Sequence, residues 1–155
     1  MLQNWKLTTN VKITARDLDG NILDVQEFHN LITTVGLGMV IDMLDGLVAD
    51  GEIKDMAWGS SNAAPAIGQT TLGVEVGRKV MTTQTQPTTT SLLSTVYVAP
   101  AEAVGAIEEL GWFAGPLADG IGPDTGIMVS RVLYSRNKTA LESLQIERAD
   151  TITEG

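Results

Sequence analysis

The first part of the chain alternates between apolar and polar side chains from residue 5 to residue 16. One face receives the set Trp5, Leu7, Val11, Ile13 and Ala15, and the other receives Lys6, Thr8, Asn10, Lys12, Thr14 and Arg16. Successive side chains of a β-strand point to opposite faces, so this pattern predicts a long strand with one buried face. A turn-rich cluster at 17–21 follows, and 22–28 resumes an extended pattern. The two segments therefore predict a β-hairpin.

One later segment changes to a helical period. The apolar side chains that recur every four residues are Val35, Met39, Met43 and Leu47, with Val40 and Leu44 beside them. Thr33 or Thr34 is a suitable N-cap, and we predict a helix over about residues 34–47. Gly36 and Gly38 each weaken a helix by roughly 1 kcal/mol relative to Ala. We expect close packing against a sheet to explain both glycines.

The rest of the chain has the pattern of short strands separated by turns. The predicted strands are 53–58, 77–86, 88–99, 106–113, 126–136 and a terminal run after a turn at 137–139, with 70–76 either a strand or a helical turn. The two runs that flank Pro87 predict a threonine-rich hairpin. With about eight strands and one helix, the sequence predicts a mainly β, antiparallel sandwich or barrel. We expect one domain over 1–155, with a short N-terminal arm at 1–5.

Composition restricts the function. The net charge is −9, from nineteen acidic against ten basic residues, and this argues against nucleic acid as a direct partner and against anionic membranes. No cysteine is present, so disulfides, thiolate nucleophiles and cysteine-based zinc sites are excluded. The sequence shows neither a secretory signal nor an apolar run long enough for a bilayer, and we expect synthesis in the cytoplasm.

The search for catalytic and metal-binding motifs gives no active site. His29 is the single histidine, no GxSxG motif accompanies it, and we expect its imidazole to fix the strand-to-helix corner by hydrogen bonding. Asp17, Asp19 and Asn21 alternate around Gly20, but the glycine spacing fits a hairpin turn better than a calcium loop. We therefore expect no catalytic activity, no metal and no cofactor.

The three tryptophans and one acidic pair complete the candidates. Glu108 and Glu109 are adjacent on a predicted strand and therefore face opposite sides, so they cannot readily work as a catalytic pair. We expect Trp58 and Trp112 in the core. Trp5 lies beside the N-terminus, where a core role and an interface role remain open.

Four segments, taken in order, resemble a group of tailed-bacteriophage virion proteins. They are HNLITTVGLGMVIDML (29–44), IKDMAWGSSNAAPAIGQTTLGVEVGRKV (53–80), IEELGWFAG (107–115) and VSRVLYSRNKTALESLQIERADTIT (129–153). The group includes capsid decoration proteins, also called auxiliary or cement proteins, and proteins of tails and tail fibres. The chain differs from the group's pattern at Trp58 and Trp112, where smaller or aliphatic residues are more usual.

The resemblance implies a virion subunit with a structural role. The expected subunit is a β-rich homotrimer that binds the major capsid protein on the outer capsid surface and stabilises the shell, with Leu2 and Trp5 as interface candidates. A tail or tail-fibre adaptor is the alternative within the same group. A carbohydrate-binding or hydrolytic β domain that uses Trp112 and Glu109 is the alternative from another class.

Overall fold

The computed structural model describes residues 4–48 and 50–155. Within these ranges the elements are β1 (Trp5–Asp17), β2 (Ile22–His29), β3 (Leu31–Ile32), α1 (Thr34–Leu44), β4 (Ile53–Gly59), β5 (Glu75–Val80), β6 (Thr83–Thr88), β7 (Ser91–Val98), β8 (Gly105–Ala114), β9 (Ile127–Lys138) and β10 (Glu142–Glu154). All paired strands are antiparallel.

The ten strands form two five-stranded sheets. The first sheet has the order β2-β1-β10-β7-β6, and the second has the order β3-β9-β8-β4-β5. The mainly β prediction is confirmed, and the architecture is the sandwich rather than the closed barrel. The structure has two strands more than the eight that the sequence predicts. One is β3, which has only two residues, and the other arises because the run predicted at 77–86 divides into β5 in one sheet and β6 in the other.

Two further element boundaries differ from the sequence prediction. The helix ends at Leu44 rather than at residue 47, because Gly46 takes a left-handed conformation (φ 75°) and the amide of Leu47 turns back to the Asp42 carbonyl. Segment 70–76 is mostly loop, and β5 begins only at Glu75.

The alternating first segment forms the strand that the pattern predicts. Val11, Ile13 and Ala15 are at most 1% exposed. The hairpin to β2 closes through Asp17, whose carboxylate accepts the backbone amides of residues 19 and 21. The side chains that fill the space between the two sheets include Val11, Ile13, Val96, Leu110, Trp112, Leu144 and Ile146.

The outer face of the second sheet is covered by two loops, residues 60–74 and 115–126. A second apolar cluster lies on this side of the sheet and consists of Ala57, Leu72, Phe113, Ala118 and Met128. Leu72 comes from the first loop and Ala118 from the second. Each loop is therefore anchored by an apolar side chain, and each is also held by a buried ion pair.

Glu109 and Arg131 hold the first loop. Both side chains are fully buried, with 2.7 Å between Arg131 Nε and Glu109 Oε2. The Glu109 carboxylate also accepts the backbone amides of Gly73 and Val74, and Arg131 donates to the carbonyl of Ala63. Burial alone would raise the pKa of Glu109, but these amide donors and Arg131 lower it below its ordinary value.

Asp55 and Arg78 hold the second loop in the same manner. Their side chains are 0% and 1% exposed, and Arg78 also pairs with Glu75 at 2.6 Å. The Arg78 guanidinium donates to the carbonyl of Thr125, while the Asp55 carboxylate accepts the amide of Gly120. Charged groups on this face of the sheet thus find their partners within the chain.

Candidate assembly interface

The helix is fixed on the second sheet through its N-terminal end. The Thr33 hydroxyl accepts the amide of Gly36 at 3.0 Å and donates to the carbonyl of Met128 at 2.5 Å. A Cβ at Gly36 would lie 2.6 Å from the carbonyl oxygen of Val129, so close packing explains this glycine as predicted. The same prediction is wrong for Gly38, where a Cβ would meet nothing within 4 Å.

The opposite side of α1 is apolar and faces outward. Leu37, Ile41 and Leu44 follow one another at i, i+4 and i+7, and they are 51%, 59% and 77% exposed. Asp42 is the single charged residue of the helix. A helix that is apolar on all sides is typical of a buried position, so its place at the surface of one chain is unusual.

A groove runs beside α1, and of the three exposed side chains Leu37 and Ile41 line it while Leu44 does not. Its far wall is the start of β1 and the end of β10, where Leu7 pairs with Ile152. Trp5 shares the face of β1 that is buried further along the strand, but it is 57% exposed here. The cavity between these walls measures about 620 Å³. We call it the α1 groove.

The floor of the α1 groove contains a charged pair that is already satisfied. Arg148 is 1% exposed, and its guanidinium donates to both carboxylate oxygens of Asp150 and to the hydroxyl of Ser130. It also lies over the ring of Trp112, with 5.7 Å between Arg148 Cζ and the ring centroid. The walls of the groove, rather than Arg148, therefore determine what can bind.

The structure places one of the two predicted interface residues at this groove. Trp5 forms part of its wall, and an interface role for Trp5 remains a prediction. Leu2 lies outside the described residues. Sequence reasoning did not select Leu37, Ile41 or Leu44, although the almost complete lack of charge in the helix is a signal that could have identified them.

The other candidate residues serve the fold. Trp112 is fully buried, and Trp58 is half-buried against the core, which confirms the core positions predicted for both. Glu109 is also fully buried, so neither Trp112 nor Glu109 presents a surface to a sugar. His29 is exposed, and its imidazole makes no hydrogen bond to the described residues. The strand-to-helix corner is fixed instead by Asn30, which donates to Ser130 at 2.8 Å.

Comparisons with known proteins do not identify a relative. No family model matches the sequence, and no curated protein or solved structure is significantly similar to it. Across residues 4–48 and 50–155, no three acidic or histidine side chains come together in a way that could hold a metal ion. The same residues include no helix with the length and hydrophobicity needed to span a bilayer.

Proposed function

We propose that the chain is a virion structural protein that decorates the outer surface of a capsid, binds the major capsid protein and stabilises the shell. The observation that carries the proposal is the exposed apolar side of α1. A fully buried Leu or Ile side chain contributes about 1.5–3 kcal/mol relative to an exposed one. Leu37, Ile41 and Leu44 have not gained most of this contribution in the isolated chain.

A repeating lattice makes such a surface effective. When many copies sit side by side on one shell, contacts of moderate affinity act together and produce a large total stabilisation. The resemblance of segments 29–44 and 129–153 to capsid decoration proteins supports the same conclusion, and α1 lies within the first of these segments. In this proposal the chain acts by binding rather than by catalysis.

A homotrimer is part of the proposal. The strands at the sheet edges leave backbone donors and acceptors unpaired, and neighbouring subunits can cover them. At the β2 edge, Ile22, Leu23 and Val25 are 57%, 53% and 44% exposed. Sedimentation equilibrium at micromolar concentration should give three times the chain mass. A monomeric mass would contradict a stable trimer in solution.

The capsid proposal is tested with shells that lack the chain. We expect the purified protein to bind these shells and to raise the temperature at which they rupture. The double variant Ile41→Gln/Leu44→Gln should bind at least tenfold more weakly, because it removes the apolar contact. Ile121→Gln is the matched control, since Ile121 is 87% exposed on the loop 115–126 and does not line the groove. Failure of the wild-type chain to bind or stabilise the shells would refute the proposal.

Copy number separates a capsid protein from a tail or tail-fibre adaptor. Quantitative mass spectrometry of purified particles should find the chain in hundreds of copies, in proportion to the major capsid protein. A few copies per particle would instead support the adaptor, which could use the same groove.

A further inference from the structure

The two sheets end in four edge strands, and these differ in how well they are protected against pairing with another chain. β3 has only two residues, and β6 contains Pro87 among threonine and glutamine side chains. Short length, proline and polar side chains are common means by which an edge avoids a second strand. β2 and β5 have eight and six residues without proline, and their Val25 and Val80 are 44% and 55% exposed. β2 and β5 are therefore the edges suited to pairing.

The backbone of β2 has hydrogen-bonding groups that point away from β1. Just beyond the strand, Asn30 donates its amide to the carbonyl of Thr9. Hydrogen-bonded and non-hydrogen-bonded pairs alternate along an antiparallel ladder, so every second residue back from Asn30 bonds to β1 and the residues between them do not. Val25 and Glu27 are among those between. Their amides and carbonyls point to the free edge.

The same reasoning identifies the free groups of β5. Met81 donates its amide to the carbonyl of Lys54, so Lys79 bonds to β4, whereas Arg78 and Val80 direct their backbone groups to the free edge. No other hydrogen bond to the described residues uses the free groups of either edge. β2 and β5 thus each present a row of backbone donors and acceptors to a further strand.

An antiparallel pairing of these two edges brings complementary side chains together. When Val25 of one copy lies opposite Val80 of the next, two exposed β-branched side chains meet on one face, and such cross-strand pairs are favourable. On the other face, Asp24 lies diagonal to Lys79 of the next copy, within reach of a long side chain. Asp24 and Lys79 each have an ion-pair partner in their own chain, but their side chains remain 39% and 29% exposed. The register therefore matches backbone groups, apolar side chains and charges.

β2 and β5 lie on opposite sides of the sandwich. A single residue joins β2 to β3 and two residues join β5 to β6, so the edges β2 and β3 share one side and the edges β5 and β6 share the other. A contact between opposite sides of two copies is head-to-tail, and it forms a ring when the rotation between copies closes. In a ring of three copies, every β2 edge and every β5 edge is paired.

We propose that a second copy of the chain pairs its β5 with β2 of the first, with Val80 opposite Val25, and that three such contacts close the homotrimer. This inference rests on the proposed function and specifies the surface through which the subunits bind each other. No residue of β2 or β5 lines the α1 groove, so the groove stays available to the capsid protein.

The absence of cysteine makes this contact testable by disulfide cross-linking. Residues opposite each other in a hydrogen-bonded antiparallel pair have Cα atoms about 5.5 Å apart, which suits a disulfide. Mild oxidation of Val25→Cys/Val80→Cys should therefore give covalent dimers and trimers on a non-reducing gel. The control Val25→Cys/Tyr97→Cys should run as a single chain, because Tyr97 is exposed on β7, which has a neighbouring strand on each side.

A charge at either edge should also separate the subunits. Val25→Lys and Val80→Lys should each reduce the sedimentation mass to that of one chain, because lysine on an edge strand opposes pairing. Thr85→Lys is the matched control, since Thr85 is exposed on the β6 edge, and this variant should stay trimeric. Far-UV circular dichroism establishes that each variant is folded.

Four results would overturn the inference: a monomeric wild-type chain, no cross-link in Val25→Cys/Val80→Cys, a trimer that survives both edge lysines, or a covalent dimer from Val25→Cys alone. The last result would mean that two β2 edges pair with each other. Failure of the proposed function is a separate result. A cross-linked trimer that does not bind capsid shells would refute the capsid role and leave the subunit contact intact.

Discussion

The covered outer face of the second sheet and the α1 groove differ in which side chains they bury. On the covered face, even charged groups are enclosed: Glu109, Arg131 and Asp55 are each 0% exposed and form hydrogen bonds to the loops 60–74 and 115–126. At the groove, large apolar groups remain in solvent. One region is thus completed by the chain itself, and the other leaves apolar surface for a partner.

This difference separates stability from assembly. Changes on the covered face should unfold or loosen the chain, because the buried charges there depend on each other. Changes in the groove should leave the fold intact and alter only what binds. A variant of the covered face that keeps its full stability, or a groove variant that unfolds, would contradict this division.

The largest loss of stability is expected from Arg131→Ala. Removing the guanidinium leaves Glu109 buried without its charge partner, and breaking a buried pair in this way costs about 3–5 kcal/mol. The free energy of unfolding is measured by urea titration. Arg16→Ala is the control, since Arg16 forms no ion pair with the described residues, and it should change that free energy by less than about 0.5 kcal/mol. A similar small change for both variants would show that the pair does not hold the loop.

Two glycines of α1 should respond with opposite signs. Gly36→Ala places a methyl group 2.6 Å from the Val129 carbonyl, and such overpacking should cost about 1–3 kcal/mol. Gly38→Ala meets no atom within 4 Å and should stabilise the helix by up to about 1 kcal/mol. Thermal unfolding of both variants checks the prediction. Destabilisation by Gly38→Ala would mean that the space beside Gly38 is already filled, for instance by a second subunit.

Acid should release the loop 60–74 before the rest of the fold. The folded-state pKa of Glu109 lies below its ordinary value of 4.5. Its contribution to stability is therefore complete above that pH and is lost as the pH falls through the lowered pKa. Limited proteolysis at decreasing pH should show cleavage in the loop. Glu109→Gln should make the cleavage less dependent on pH, and an unchanged acid response in this variant would assign the effect to another carboxyl group.

The smallest effect on stability is expected on the exposed side of α1. Ile41 and Leu44 are 59% and 77% exposed, so Ile41→Gln/Leu44→Gln should change the free energy of unfolding by less than about 0.5 kcal/mol for each residue. Urea titration measures this change alongside the binding assay. A loss of several kcal/mol would mean that the two side chains belong to the core of the free chain.

The sequence predicts the parts of the fold that depend on local pattern. The alternation of Val11, Ile13 and Ala15 fixes the buried face of β1, and Thr33 marks the helix start, because strand parity and N-caps are short-range properties. The division of run 77–86 between two sheets depends on long-range pairing. No local signal marks the change of sheet after Val80.

The candidate site is less predictable from the sequence because it, too, depends on long-range contacts. The size of Trp5 makes it a candidate for the core or for an interface, but whether its end of β1 is covered depends on where the other sheet stops. The pairing of Glu109 with Arg131 joins residues on neighbouring strands, and the apolar periodicity of α1 is compatible with burial on either side. Only the three-dimensional arrangement shows which side of the helix the second sheet covers.

Hydrogen–deuterium exchange tests the central claim most directly, because it compares the free chain with the chain bound to capsid shells. We expect slower exchange in α1 (Thr34–Leu44) and at the start of β1 on binding, with little change in the loops 60–74 and 115–126. Slower exchange confined to those loops or to the outer face of the first sheet, with α1 unchanged, would contradict it.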